Sequence, residues 1–137
     1  MIHFYPHYLL QRKKLNSELF FNIKMVYHTL FKTNGEIIKL TYKPSLDRFH
    51  KMLDCEFIDS NCFGFFYNDR EYEDIELISD DEAVTKDKEV NRIVSDALSK
   101  SIAWRNRAYI ISNKSDFVMC GDIVVITDEP LIFDVTN

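Results

Sequence analysis

The sequence predicts an α+β fold: two main helices packed on a small, mainly antiparallel β-sheet. Three observations point there. Two stretches, Asn16 to Lys32 and Lys86 to Arg105, repeat apolar residues at three- and four-residue intervals, the period of a helix with one buried face. Short aromatic and β-branched segments lie between and after them, bounded by turn residues. Only 3 Gly and 3 Pro interrupt a chain of 137 residues that is 46% hydrophobic, the composition of an ordered domain with little linker. No repeat or low-complexity tract divides it, so residues 1–137 read as one domain. A chain of this length buries roughly two-thirds of its unfolded surface and needs no metal or disulfide staple.

In the first helix, Asn16 to Lys32, the stripe is Leu19, Ile23, Val26, Tyr27 and Leu30. Asn16 or Ser17 caps its start, and Asn34-Gly35 supplies a left-handed stop. Phe20, Phe21, Met25 and Phe31 widen the stripe and call for cover on more than one side, part of it from a partner chain. Glu36 to Tyr42 alternates as a strand, which Lys43-Pro44 ends because proline has no N–H for a ladder. Between Ser45 and Ser60, Leu46, Phe49 and Leu53 fit a helical stripe while Leu53, Cys55 and Phe57 fit a strand face. The favoured reading is a loop followed by a strand from Met52 to Ile58. Phe63 to Tyr67 is an aromatic strand, Asn68-Asp69 a turn, and Glu71 to Ile78 a polar strand with Ile75 and Leu77 turned inward. The second helix, Lys86 to Arg105, aligns Val90, Ile93, Val94, Ala97, Leu98 and Trp104, and places Arg105 and Arg107 where the helix dipole favours positive charge. Short strands centred on Tyr109 to Ile111, Ile123 to Ile126 and Leu131 to Val135 close the chain.

Charge and composition narrow the function. With 22 acidic against 17 basic residues the net charge is −5, so the molecule as a whole repels phosphate backbones and anionic lipid, and no nucleic-acid partner is expected. No window approaches the roughly 20 apolar residues of a membrane span. The start, Met1-Ile2-His3-Phe4-Tyr5-Pro6-His7, lacks the basic, apolar and small-residue zones of a signal peptide. Cys55, Cys62 and Cys120 are odd in number and flanked by core-like residues, which reads as a reduced thiol set. The expectation is a protein made and kept in the cytoplasm, or assembled there into something larger.

Each candidate for chemistry has a plainer account. His50, Cys55 and Cys62 are metal-ligand types, but their spacing matches no compact pair such as Cys-x2-Cys and no fourth ligand accompanies them. Neither a metal nor a cofactor is expected. Cys55 paired with a histidine would be a nucleophile, yet no oxyanion donor or orienting carboxylate is marked beside it, and a buried thiol is the simpler reading. The acidic run Asp69 to Glu82 offers charge for a cation or for imitating a phosphate backbone; a solvated strand edge protected from aggregation explains it as well. His28 reads as a packing or surface residue. Arg105 and Arg107, near Trp104 and Tyr109, suit an anion or a base, or helix-end charge complementation.

One segment resembles a known family. A helix, then Trp104-Arg105-Asn106-Arg107, then Tyr109-Ile110-Ile111, then an apolar run into Gly121-Asp122-Ile123-Val124-Val125-Ile126-Thr127-Asp128 is similar to part of the central tail-hub, or tip attachment, proteins of tailed bacteriophages. The upstream order is similar in outline, and the resemblance spans roughly Ile23 to Asp128. In the Gly-Asp turn, glycine supplies unusual backbone angles and Asp caps. The resemblance implies a structural protein of a phage tail tip or baseplate, located in the virion tail after assembly in the host cytoplasm. Its partners would be other tail or baseplate proteins and copies of itself, as in a trimer. Aromatic residues beyond what one core requires, Phe4, Tyr5, Phe20, Phe21, Phe65 and Phe66, are then the interface candidates. The competing class is a small acidic phage- or bacterium-encoded protein that inhibits or regulates a host protein through Glu73, Asp74, Asp80 and Asp81. An enzyme is not expected, since no catalytic constellation is visible.

Overall fold

The computed structural model describes residues 8–15, 18–102 and 118–131, with side chains from Met25 onward. Asn68 and Asp69 both take left-handed backbone angles, φ 51° and 58°, which a two-residue hairpin turn requires and which Asn and Asp tolerate. They fold β5 (Ile58–Tyr67) back on β6 (Arg70–Asp80), with Tyr67 opposite Arg70 and Ile58 opposite Asp80. One bulge interrupts this ladder. Phe65 pairs with Tyr72 and Phe63 with Ile75, so Glu73 and Asp74 together oppose Gly64, and Asp74 takes φ 53°. Tyr72 and Ile75 are thereby brought into the same buried cluster despite their opposite parity.

The hairpin joins a five-stranded antiparallel sheet of order β4-β3-β7-β6-β5, where β3 is Tyr27–Phe31, β4 is Ile37–Leu40 and β7 is Ile123–Thr127. All five positions of β7 are buried, and its Ile-Val-Val-Ile-Thr sequence is continuous instead of alternating because both faces are covered. Ile123 and Val125 enter one cluster with Phe31, Phe65, Leu77 and residues Val94, Ala97 and Leu98 of helix α2 (Arg92–Lys100). Val124 and Ile126 enter the other, with Leu30, Ile78, Leu53 and Phe49 of helix α1 (Leu46–Met52). The Phe31 ring meets Phe65 and Tyr67 edge to face at 5.8 and 5.6 Å.

The α+β class and the antiparallel sheet agree with the sequence reading; the first helix does not. From Glu18 on, the segment expected to be a helix from Asn16 to Lys32 forms β2 (Glu18–Met25), paired among the described residues only with β1 (Tyr8–Leu15) in a separate two-stranded hairpin, and then β3. The helical stripe left out Phe20, Phe21, Met25 and Phe31, so the apolar residues of this segment fit no single period. Its aromatic and β-branched content favours strands.

A second correction concerns residues 45–60, where α1 replaces the expected loop and the strand starts at Ile58, where it was expected to end. The Ser45 hydroxyl accepts from the Arg48 N–H at 3.2 Å, capping the helix. Phe49 and Leu53 carry its stripe into the core.

α2 is shorter than Lys86 to Arg105. Asp87 has φ 55° and Val90 bridges to Cys120, so the chain is not helical until Asn91 caps it. Asn91 is fully buried: its Oδ1 accepts from Val94 N at 3.2 Å, while Nδ2 donates to Phe31 O at 2.9 Å and Gly121 O at 3.0 Å. One side chain thus joins α2, β3 and the entry to β7. Asp122 caps the neighbouring chain and not its own turn, its carboxylate accepting from Thr33 N at 2.9 Å. The expected strands Glu36 to Tyr42 and Ile123 to Ile126 correspond to β4 and β7. Trp104, Arg105, Arg107, the strand at Tyr109 to Ile111 and all of Leu131 to Val135 except the buried Leu131 lie outside the described residues.

Candidate functional site

The register builds a cleft where β7 ends and β6 bulges. Tyr27 pairs with Thr127 and Glu76 with Ile126, so the last residues of β7 run beside Glu73 and Asp74, and Val26, the link from β2 to β3, lies at the same end of the sheet. A cleft of about 510 Å³ opens there. Val26, Ile126 and Tyr72 give it apolar surface, and Glu71, Glu73, Asp74, Glu76, Asp128 and Glu129 make it strongly acidic.

These carboxylates are not equivalent. Glu71 accepts from Ser101 Oγ at 2.7 Å and Ile102 N at 3.1 Å, closing the end of α2. Glu129 pairs with Arg70, whose guanidinium lies 4.7 Å over the Tyr72 ring, and Thr127 Oγ1 donates to Glu129 O at 2.6 Å, holding the turn that presents it. Glu76 is 5% exposed and accepts from the Ser60 hydroxyl. Glu73 and Asp74 are exposed and make no ion pair among the described residues. Tyr72 is 4% exposed, and its hydroxyl has no hydrogen-bond partner among the described residues. Chemically the cleft sets six carboxylates against the single cation Arg70, beside the apolar residues Val26, Ile126 and Tyr72, which suits a cationic, partly apolar occupant.

The expected site residues are dispersed. Phe65 is fully buried in the core and so is unavailable to a partner, a correction that follows from the bulge placing it opposite Tyr72. Phe66 is half-buried. Phe20 and Phe21 fall in β2, in opposite alternating sets of the β1–β2 ladder, and Phe4 and Tyr5 lie outside the described residues.

Asp80 is a second correction. It is no surface charge: its side chain is 1% exposed, with Lys88 Nζ at 2.7 Å and Lys86 Nζ at 3.2 Å. Burial pushes its carboxyl up, but the Lys88 hydrogen bond, the Glu82 N–H and Lys86 outweigh that and hold it below the ordinary carboxylate value. Lys88 also donates to Leu53 O and Asp54 O at 2.7 and 2.8 Å, tying the end of α1 to the 81–90 loop. Of the four acidic-surface candidates, Glu73, Asp74 and Asp81 are exposed.

His50 and Cys55 meet through a ring Nδ1 to backbone O contact of 2.9 Å, while Cys62 lies on β5 opposite Glu76; no three metal-ligand types gather among the described residues. Burial pushes the Cys55 thiol up, with Asp80 adding to the effect, and burial followed by Glu76 does the same to Cys62. Neither is a poised thiolate. His28, 2% exposed, shares a sheet face with Glu76 but Ile126 stands between them in the ladder. Two strand spacings, roughly 10 Å, separate the two positions, too far for direct proton exchange.

Comparison with family models, with curated proteins and with solved structures returns no match. No helix among the described residues is long and apolar enough to cross a membrane.

Proposed function

We propose that this protein is an assembly subunit, working by packing against other polypeptides and not by transforming a small molecule. The observation that carries the reading is the β1–β2 arm. Strands Tyr8–Leu15 and Glu18–Met25 pair with each other and with no strand of the five-stranded sheet, and among the described elements their extensive contacts are with each other. One alternating set of the ladder holds Tyr8, Leu10, Leu19, Phe21, Ile23 and Met25 together with Arg12 and Lys14. An isolated two-stranded hairpin is at best marginally stable in water, so six apolar and aromatic residues in one such set call for cover. α1 and α2 contribute to the clusters on the two faces of the main sheet, and on this reading the arm and the acidic cleft meet another subunit.

The resemblance of roughly Ile23 to Asp128 to tail-hub proteins gives this reading its setting, a phage tail tip or baseplate with neighbouring tail proteins as further partners. Light scattering on the purified chain tests it. Above micromolar concentration the mass exceeds the 16.3 kDa of one chain, and Phe21→Ser with Ile23→Ser lowers it while the near-ultraviolet circular dichroism is retained. A strictly monomeric, highly soluble chain would refute the reading.

The exposed, unpaired Glu73 and Asp74 favour a second reading, an acidic inhibitor or regulator of a host protein. On that reading neutralising Asp81, which does not line the cleft, weakens partner binding as neutralising Glu73 and Asp74 does; on the first reading neutralising Asp81 leaves assembly intact. Asp80 is kept out of the test because its loss acts on the fold.

A further inference from the structure

We propose that the occupant of the acidic cleft is the arm of a second copy of this chain, exchanged reciprocally across a two-fold axis. The inference rests on the assembly reading and names the partner. Its basis is charge complementarity between two surfaces of one molecule. The arm carries Arg12, Lys13, Lys14 and Lys24 against the single acidic Glu18, in a chain whose net charge is −5. Arg12 and Lys14 fall in the same alternating ladder set as the apolar residues Leu10, Phe21 and Ile23. That set is therefore wholly apolar and aromatic at the root, Tyr8, Leu10, Ile23 and Met25, and pairs each cation with an apolar residue toward the tip. The cleft supplies the counterpart: Ile126 and Tyr72 as apolar residues, Arg70 already engaged by Glu129, Glu73 and Asp74 as exposed charges without an ion pair, and a buried Tyr72 hydroxyl without a partner, these last two among the described residues.

Reach makes the contact intermolecular. The arm leaves the sheet beside its own cleft, because Met25 precedes Val26 and Tyr27, and Tyr27 pairs with Thr127. Arg12 pairs with Phe21 and Lys14 with Leu19, which lie four and six residues from Met25, so a paired hairpin holds these cations roughly 13–20 Å beyond the root. That span along the ladder separates these two positions from the cleft at the root. A second copy related by a two-fold axis presents its cleft to the first arm and its arm to the first cleft, so one contact type is satisfied twice and the assembly closes.

Charge reversal and mixing test the pairing. In sedimentation velocity, Arg12→Glu/Lys14→Glu and Glu73→Lys/Asp74→Lys each weaken self-association by about tenfold or more. An equimolar mixture of the two restores a species of two chains, because each arm then meets a cleft of opposite sign. Lys13→Glu/Lys24→Glu makes the same change in net charge on the other ladder set and leaves association within about threefold of the unaltered chain. If the unaltered chain associates but the reversed variants associate equally well, or the mixture stays monomeric, the arm-in-cleft pairing is wrong while assembly through another surface stands. An unaltered chain that never associates overturns both.

Discussion

Replacing Asn91 by alanine should cost about 3 kcal/mol, and the figure follows from three hydrogen bonds of one fully buried side chain. Losing the helix cap to Val94 N accounts for about 1 kcal/mol. The Phe31 and Gly121 carbonyls each lose a buried donor, at about 1 kcal/mol or more apiece. Against a typical total stability of roughly 5–15 kcal/mol, that is a large share. Asn91→Ser separates the contributions: it restores a capping oxygen without the two donors, so it should recover about 1 kcal/mol. Asn91→Asp keeps the cap but sets a carboxylate oxygen where Nδ2 now lies 2.9 and 3.0 Å from two carbonyl oxygens. At neutral pH it should be at least as damaging as alanine, with part of the loss recovered on acidification as the group gains a proton to donate. Urea unfolding followed by circular dichroism, at protein concentrations below association, measures all three. An alanine variant within about 1 kcal/mol of the unaltered chain, at unchanged m-value, would show that Asn91 does not join the two strands to α2.

Three further outcomes follow from the same contacts. Because the folded Asp80 carboxyl lies below its ordinary value of 3.8, its contribution is present above that value and is lost as pH falls through and below it; pH-dependent unfolding of Asp80→Asn should show a shallower acid slope than the unaltered chain. Gly121 has φ 83° with Lys88 Cδ 3.2 Å from an added Cβ, whereas Gly35, at φ 92°, has open space. Gly35→Ala should cost about 1 kcal/mol from backbone strain alone, and thermal unfolding should find Gly121→Ala the more damaging of the two. Cys62 is exposed and Cys55 half-buried, with both thiols pushed up; mass spectrometry of alkylation near neutral pH should show slow reaction throughout, with Cys62 modified ahead of Cys55.

Where the sequence carried turn chemistry or burial on both faces, the fold was legible. Asn68-Asp69 marked the β5–β6 turn because few residue types accept two consecutive left-handed positions. Ile123 to Ile126 read as a strand because a continuous β-branched run of that length suits a central strand. Residues 16–32 misled for another reason: their nine apolar and aromatic residues include a helical stripe but also fill positions outside it, and for Tyr27–Phe31 the place between β4 and β7 decides the outcome. The cleft was hidden by the bulge. Along β6 the inward apolar residues switch from even Tyr72 to odd Ile75 and Leu77, a phase shift visible in the sequence that would have separated outward Glu73 and Asp74 from inward Glu76. Asp80 was misread because its compensating cations, Lys86 and Lys88, belong to a segment expected to be helical.

Hydrogen exchange of the arm amides as a function of protein concentration tests the central claim most directly. If the arm of one chain is covered by another, protection across Leu9–Leu15 and Leu19–Lys24 rises with concentration and falls in Glu73→Lys/Asp74→Lys, while protection of β7 stays constant. Arm amides that exchange at the same rate at every concentration would contradict it.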